Sequence, residues 1–279
     1  MHDRRHGFWR LRALNTLPPF RMELFLLIGA GLAAGALGAM FGIGGGVLLV
    51  PVLALVFGVP LADAVPASLM CVVANSCSAA ASNVEKRLAD VRLALVLELA
   101  TVGGAIAGGV AAIHVAPPAI ALVFGCFALY VGSQMVLGTA ARAVEEDLSV
   151  YQPQHYALGI TGSFVAGGLS ALLGVGGGPL KVPLMSYGMK VPFKVAAATS
   201  NLMIGVTAAA SVSMYAWSGH LKLALIAPLV VGVLLGAQIG ARLMVVAPAR
   251  LLKRLFGILL LAIALQMLLK GGQALWPSA

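Results

Sequence analysis

Charge is scarce in this chain. Asp, Glu, Lys and Arg make up only 10% of its 279 residues, and no long polar stretch interrupts the apolar ones. A soluble domain carries about 25% charged residues, so water-soluble enzymes and binding modules are excluded. Cysteine is also sparse. Cys71, Cys77 and Cys126 lie inside apolar segments without metal-ligand spacing, and read as small packing residues that do not fix the redox compartment. There is no His-Glu-x-x-His, no Gly-x-Ser-x-Gly, no P-loop and no carboxylate pair on one apolar face, so no catalytic constellation is offered and no cofactor is implied. Basic residues outnumber acidic ones 18 to 9. With no basic face and no stacking platform, that excess does not point to nucleic acid. It belongs to segment ends, where positive charge sets orientation and touches anionic lipid.

What is present is apolar. Hydrophobic residues reach 61%, with a mean hydropathy of +1.01. That much apolar surface must face lipid, which predicts an all-α, polytopic transmembrane helix bundle. The N-terminal segment 1–21 carries five arginines and no cleavage pattern. It reads as a cytoplasmic lead-in.

The chain also repeats itself. FGIGGGVLLVP (41–51) returns as LGVGGGPLKVP (173–183), an offset of 132 residues. The same offset pairs Pro60 with Pro192, Ser68 with Ser200, Gly104 with Gly236, and Gln134-Met135 with Gln266-Met267. This predicts two tandem transmembrane repeats, 22–139 and 155–271, joined by a loop at 140–154 and followed by a tail at 272–279. In each repeat an apolar stretch runs into three glycines, then a short piece (47–58 or 179–189), then three long helices. Glycine exposes its backbone and breaks helices. Each repeat should therefore hold a broken helix, discontinuous or re-entrant. A broken helix in lipid must line protein or a cavity, and two of them at corresponding places mark a transporter's binding site. With single crossings at both breaks, basic residues divide 11 inside to 6 outside. With hairpins they divide 7 to 10. The first count favours eight crossings with the N-terminus inside, although the Arg242–Arg254 cluster runs against it; ten crossings and inverted repeats stay open. Small residues spaced by four, such as Gly31/Gly35 and Gly232/Gly236/Gly240, are read as internal helix packing, and a homodimer is left open.

The binding candidates are the glycines Gly44, Gly45, Gly46, Gly176, Gly177 and Gly178, and Lys181 beside them. A lysine at membrane depth faces a cavity or a partner, and next to free helix-end N–H groups it would complete an anion site. The alternative is that it snorkels to an interface. Ser68, Asn75, Thr199, Ser200 and Asn201 could donate hydrogen bonds to an oxyanion, or bond between helices. Glu98 could carry a coupling proton or neutralise a nearby cation. Gln238 and Arg242, one turn apart, could also reach a cavity in a coupling or gating role. No metal-ligand set is present.

The paired glycine motifs, each followed by Val-Pro, and the Ala-x-x-x-Ser/Thr-Ser stretch of the second half resemble the TauE/SafE family of membrane permeases over about 24–271. That resemblance implies secondary transport of sulfite or an organosulfonate such as sulfoacetate across the bacterial inner membrane. Export is the activity that named the family. The halves differ, PASLM (66–70) standing where the second has ATSNL (198–202), so they need not contribute equally to a site. Permeases for another anion or a metal ion, or a membrane scaffold, are the competing readings.

Overall fold

The computed structural model describes residues 17–111, scattered positions between 122 and 137, and residues 152–173, 178–217 and 221–275. Gly176, Gly177, most of the lead-in, most of the 140–154 loop and most of the third long helix of the first repeat lie outside the described residues. Among the described residues every element is helical. In chain order they are α1 (Leu17–Phe41), α2 (Gly46–Leu55), α3 (Leu61–Glu85), α4 (Val91–Ala111), α5 (Tyr156–Leu173), α6 (Gly178–Pro183), α7 (Phe193–Trp217), α8 (Leu223–Val246) and α9 (Ala249–Leu275). A single π turn, Leu184–Gly188, extends α6.

Among the described residues, four helices have the length and hydropathy to cross a bilayer: Glu23–Phe41, Asp63–Glu85, Phe193–Val212 and Leu223–Val246. Large apolar side chains such as Leu95, Leu99, Leu137 and Val246 are exposed, a surface suited to lipid rather than water. By contrast α2, with ten residues, is about 15 Å long at 1.5 Å per residue. It cannot cross. It folds back instead, since the Gly45 that precedes it lies against the Ala34 carbonyl of α1. Its Leu49 and Leu53 share one apolar cluster with Ala34 and with Ala64, Ala67 and Cys71 of α3.

Contacts between the long helices fix their directions. Gly232, Gly236 and Gly240 of α8 lie against the carbonyls of Ile28, Leu32 and Ala36 of α1, so α1 and α8 run parallel. Asp63 meets Lys222 where α3 and α8 start (2.6 Å), and Ser78 donates to the Leu234 carbonyl further along both (3.3 Å). Thus α3 runs the same way. Lys194, at the start of α7, donates to the Val245 carbonyl at the end of α8 (2.7 Å), so α7 runs the other way. The Asp90 N–H, just ahead of α4, donates to Thr199 of α7 (3.0 Å), so α4 begins at the end where α7 begins. Gly159 of α5 lies against Leu97 of α4, and Gly104 of α4 against the Phe164 carbonyl of α5; α5 follows α4. The contact between Gly104 and Phe164 and the contact between Gly236 and Leu32 are separated by the offset of 132 that relates the glycine motifs. Small residues carry both because only they let helix backbones come this close.

These directions distribute the charge. The end shared by the finish of α3 and the starts of α4, α7 and α9 holds Lys86, Arg87, Arg92, Lys190, Lys194, Arg242, Arg250, Lys253 and Arg254. Among the described residues the opposite end holds only Arg21, Lys222 and Lys270.

Candidate functional site

The site is built around the α1–α2 turn. Gly42, Gly44 and Gly45 all take positive φ (73°, 74° and 77°), a left-handed conformation that side-chain-bearing residues adopt at a cost. Space requires glycine as well. A Cβ on Gly42 would sit 2.5 Å from the Ala197 carbonyl oxygen, and one on Gly44 within 2.9 Å of both Ile204 and Val72. The motif of the second half comes to the same place, for Gly178 lies against the backbone of Ile43.

A helix that ends inside the molecule leaves carbonyls without intrahelical donors. Here N–H groups of the turn itself and side chains from α3 and α7 supply them. Gly38 takes N–H groups from Ile43 and Gly44. The Asn201 amide donates to the Ala39 carbonyl at 2.7 Å and the Ser200 hydroxyl to the Gly42 carbonyl at 2.6 Å. The Ser68 hydroxyl donates to the Gly46 carbonyl at 3.1 Å. The Ser76 hydroxyl in turn donates to the Asn201 carbonyl, tying α3 to α7. Ser68, Ser200 and Asn201, three residues expected to face an oxyanion, thus direct donors to the interrupted backbone. Thr199 accepts from Asp90. Asn75 is fully buried with neither side-chain polar atom hydrogen-bonded, and the Asn201 carboxamide oxygen is likewise unpartnered.

Lys181 is 1% exposed, on α6 three residues beyond Gly178. Its Nζ donates to Glu98 Oε2 at 2.8 Å and to Thr207 Oγ1 at 3.2 Å. The Thr207 hydroxyl donates to Glu98 Oε1 at 2.5 Å. The three residues come from α6, α4 and α7 and close a ring in which each carboxylate oxygen takes one hydrogen bond. Lys181 therefore does not snorkel outward. It is neutralised inside the molecule by Glu98. An ammonium has three donors, and among the described residues the third meets no acceptor. Counterparts 132 residues away are uncharged: Leu49 for Lys181, Val230 for Glu98 and Asn75 for Thr207. Gln238 and Arg242 are exposed on α8, whose buried face carries Ala237, Gly240 and Ala241, and the structure does not bring them to this ring.

Sequence reasoning joined Lys181 neither to Glu98 nor to Thr207. The signal was available in part, because Lys181 and Glu98 are the ionisable residues set deep in apolar segments, and buried charges need partners. Nothing in the sequence marked Ser76, or the buried, unpartnered Ser163 of α5.

Residues 27–267 match the model of the sulfite exporter TauE/SafE family. The chain belongs to that family. This TauE/SafE protein is a membrane-embedded transporter, and its relatives carry transporter names. It is 26% identical over 270 residues to the probable membrane transporter protein YunE of Bacillus subtilis, an alignment that spans 90% of this chain and 99% of that protein. It is 27% identical over 247 residues to a probable membrane transporter protein of Xylella fastidiosa, spanning 87% of this chain and 94% of the other. The probable membrane transporter protein MamO of Paramagnetospirillum magneticum is 26% identical over 281 residues, which cover 87% of this chain and 44% of MamO. No solved structure matches the TauE/SafE chain.

Proposed function

We propose that this protein is a secondary transporter that exports sulfite or a small organosulfonate, such as sulfoacetate, across the bacterial inner membrane. The observation that carries this reading is the buried Lys181 ammonium, three residues beyond a Gly178 that packs against the α1–α2 turn, in a chain of the TauE/SafE family. A pyramidal or tetrahedral oxyanion suits a lysine donor together with backbone N–H groups of a broken helix. In this reading Lys181 binds the anion. The glycines at 44–46 and 176–178 open the backbone to it, and Asn75 lines the approach from the other half. Ser68, Ser200 and Asn201 hold the break in shape, and Thr199 fixes the start of α4 against α7. The opposed directions of α1 and α5, of α3 and α7, and of α4 and α8 support an inverted pair of repeats, an arrangement that suits alternating access about a central site. A cation substrate is disfavoured by the same lysine.

Binding of purified protein to sulfite, sulfoacetate, sulfate and acetate tests the proposal. Selective binding of a sulfur oxyanion is expected, weakened roughly ten- to a hundredfold in Lys181→Ala, the range for losing a hydrogen bond to a charged group. Equal affinity of Lys181→Ala for the preferred anion would remove Lys181 from the site. Binding of none of the four by monodisperse protein would overturn the substrate assignment.

A further inference from the structure

We propose that Glu98, Lys181 and Thr207 form a proton-coupling site: a proton on Glu98 frees the Lys181 ammonium for the anion, so that a singly charged anion crosses together with one proton and no net charge. The inference rests on the transport reading above and adds the coupling ion and its carrier.

The argument is one of charge. The ring holds one carboxylate and one ammonium and is neutral. An anion entering beside the intact pair would leave a net negative charge in a low-dielectric interior, where uncompensated charge costs several kcal/mol. A proton on Glu98 removes that excess. Before binding, the carboxylate carries −1 and Lys181 +1. Afterwards the carboxyl is neutral, Lys181 remains +1 and the anion supplies −1. The proton comes from water to Oε2, the oxygen that accepts from Lys181. The N–H group so released turns to an anion oxygen, and the Thr207 hydroxyl keeps its bond to Oε1. On the far side the anion leaves, the proton returns to water and the ion pair re-forms. No other proton or electron moves. Because protonation and anion binding each favour the other, their coupling is reciprocal.

The Glu98 side chain is 10% exposed against 1% for Lys181, so the carboxylate is the less enclosed member of the pair. The elements packed on α4 are α5 and α7. Among their described residues α5 brings Tyr156, exposed at its first position, and α7 brings Lys194, which donates to Val245. On α4 itself Asp90 and Arg92 flank the start, two turns from Glu98. Among the described residues, Lys181 is the one charged group that faces the carboxylate. With Leu49 and Val230 at the matching positions, each molecule has one such ring, hence one proton per turnover.

An electroneutral carrier ignores membrane voltage, and its direction follows the anion and pH gradients alone. The test uses full-length protein in proteoliposomes with a lumenal pH dye, with labelled sulfite and methanesulfonate as probes; methanesulfonate keeps a single charge at all working pH values. Exchange of either anion against itself reports the transport reading. Net methanesulfonate or bisulfite efflux then reports coupling. One proton should leave per singly charged anion, and an imposed potassium-diffusion potential should leave wild-type accumulation unchanged. In Glu98→Gln whatever flux remains should move no protons and respond to voltage, by about fiftyfold in accumulation ratio per 100 mV for one uncompensated charge. Exchange in wild type together with net efflux that moves no protons, or wild-type net flux driven by voltage, would overturn the coupling site and leave the transport reading intact. Absence of exchange for both probes would overturn the transport reading and the coupling with it. The wild-type stoichiometry decides the question even where Glu98→Gln does not fold.

Discussion

A lysine ammonium withdrawn from water survives only with a partner, and Lys181 has one carboxylate and one hydroxyl. Breaking such a pair on one side strands the other charge, which costs about 3–5 kcal/mol, whereas removing both charges is far less damaging. Lys181→Met should therefore lower the melting temperature in detergent sharply, and Lys181→Met combined with Glu98→Gln should recover most of the loss. A double variant no more stable than the single one would mean that the two charges do not depend on each other. This cluster was half legible in the sequence. The rarity of charge in apolar segments singled out Lys181 and Glu98, but 83 residues separate them, and one sequence cannot reveal which buried charges meet. The hydroxyls and amides left two readings open for a related reason. Ser68, Ser200 and Asn201 can donate to an anion or to a carbonyl, and what decides is that the α1–α2 turn lies inside the protein, where its carbonyls face these donors.

At the scale of the element, the α1–α2 turn combines two constraints that substitutions can separate. Gly42 and Gly58 both have positive φ (73° and 63°). A Cβ on Gly42 would strike the backbone at Ala197, whereas one on Gly58 meets open space. Gly58→Ala thus isolates the torsional penalty, about 1–2 kcal/mol. Gly42→Ala adds a clash with backbone that cannot rotate away, and should prevent accumulation of folded protein, as read by fluorescence-detected size exclusion. Similar folded yields for the two variants would show that the turn yields easily and that α7 is not locked against it. The existence of this break could be read from three glycines in an apolar run, because no other residue tolerates such torsions at so little cost. Its shape could not. Whether α2 continues across or turns back depends on the apolar cluster that Leu49 and Leu53 make with α1 and α3, which is tertiary information.

Over the whole molecule the turn decides which end faces the cytoplasm. Counting basic residues with single crossings favours a cytoplasmic N-terminus, and the Arg242–Arg254 cluster stands as the anomaly in that count. With α2 folded back the anomaly disappears. Arg242, Arg250, Lys253 and Arg254 join Lys86, Arg87, Arg92, Lys190 and Lys194 at one end, nine basic residues against three among the described ones. Short cytoplasmic segments carry the excess of Lys and Arg, because positive charge resists translocation. The end that holds the α3–α4 link is therefore expected in the cytoplasm, which puts the start of α1 on the opposite side despite the arginines of the lead-in. Single cysteines introduced at 87 and at 58, in a background freed of native cysteine, check this with a membrane-impermeant thiol reagent on intact cells. Position 58 should label and position 87 should not. The reverse pattern would mean that the five lead-in arginines outweigh the nine at the far end, and would place the α3–α4 link outside. The outcome also sets the mouth by which a cytoplasmic anion approaches Lys181, since Glu98 lies two turns below that link on α4.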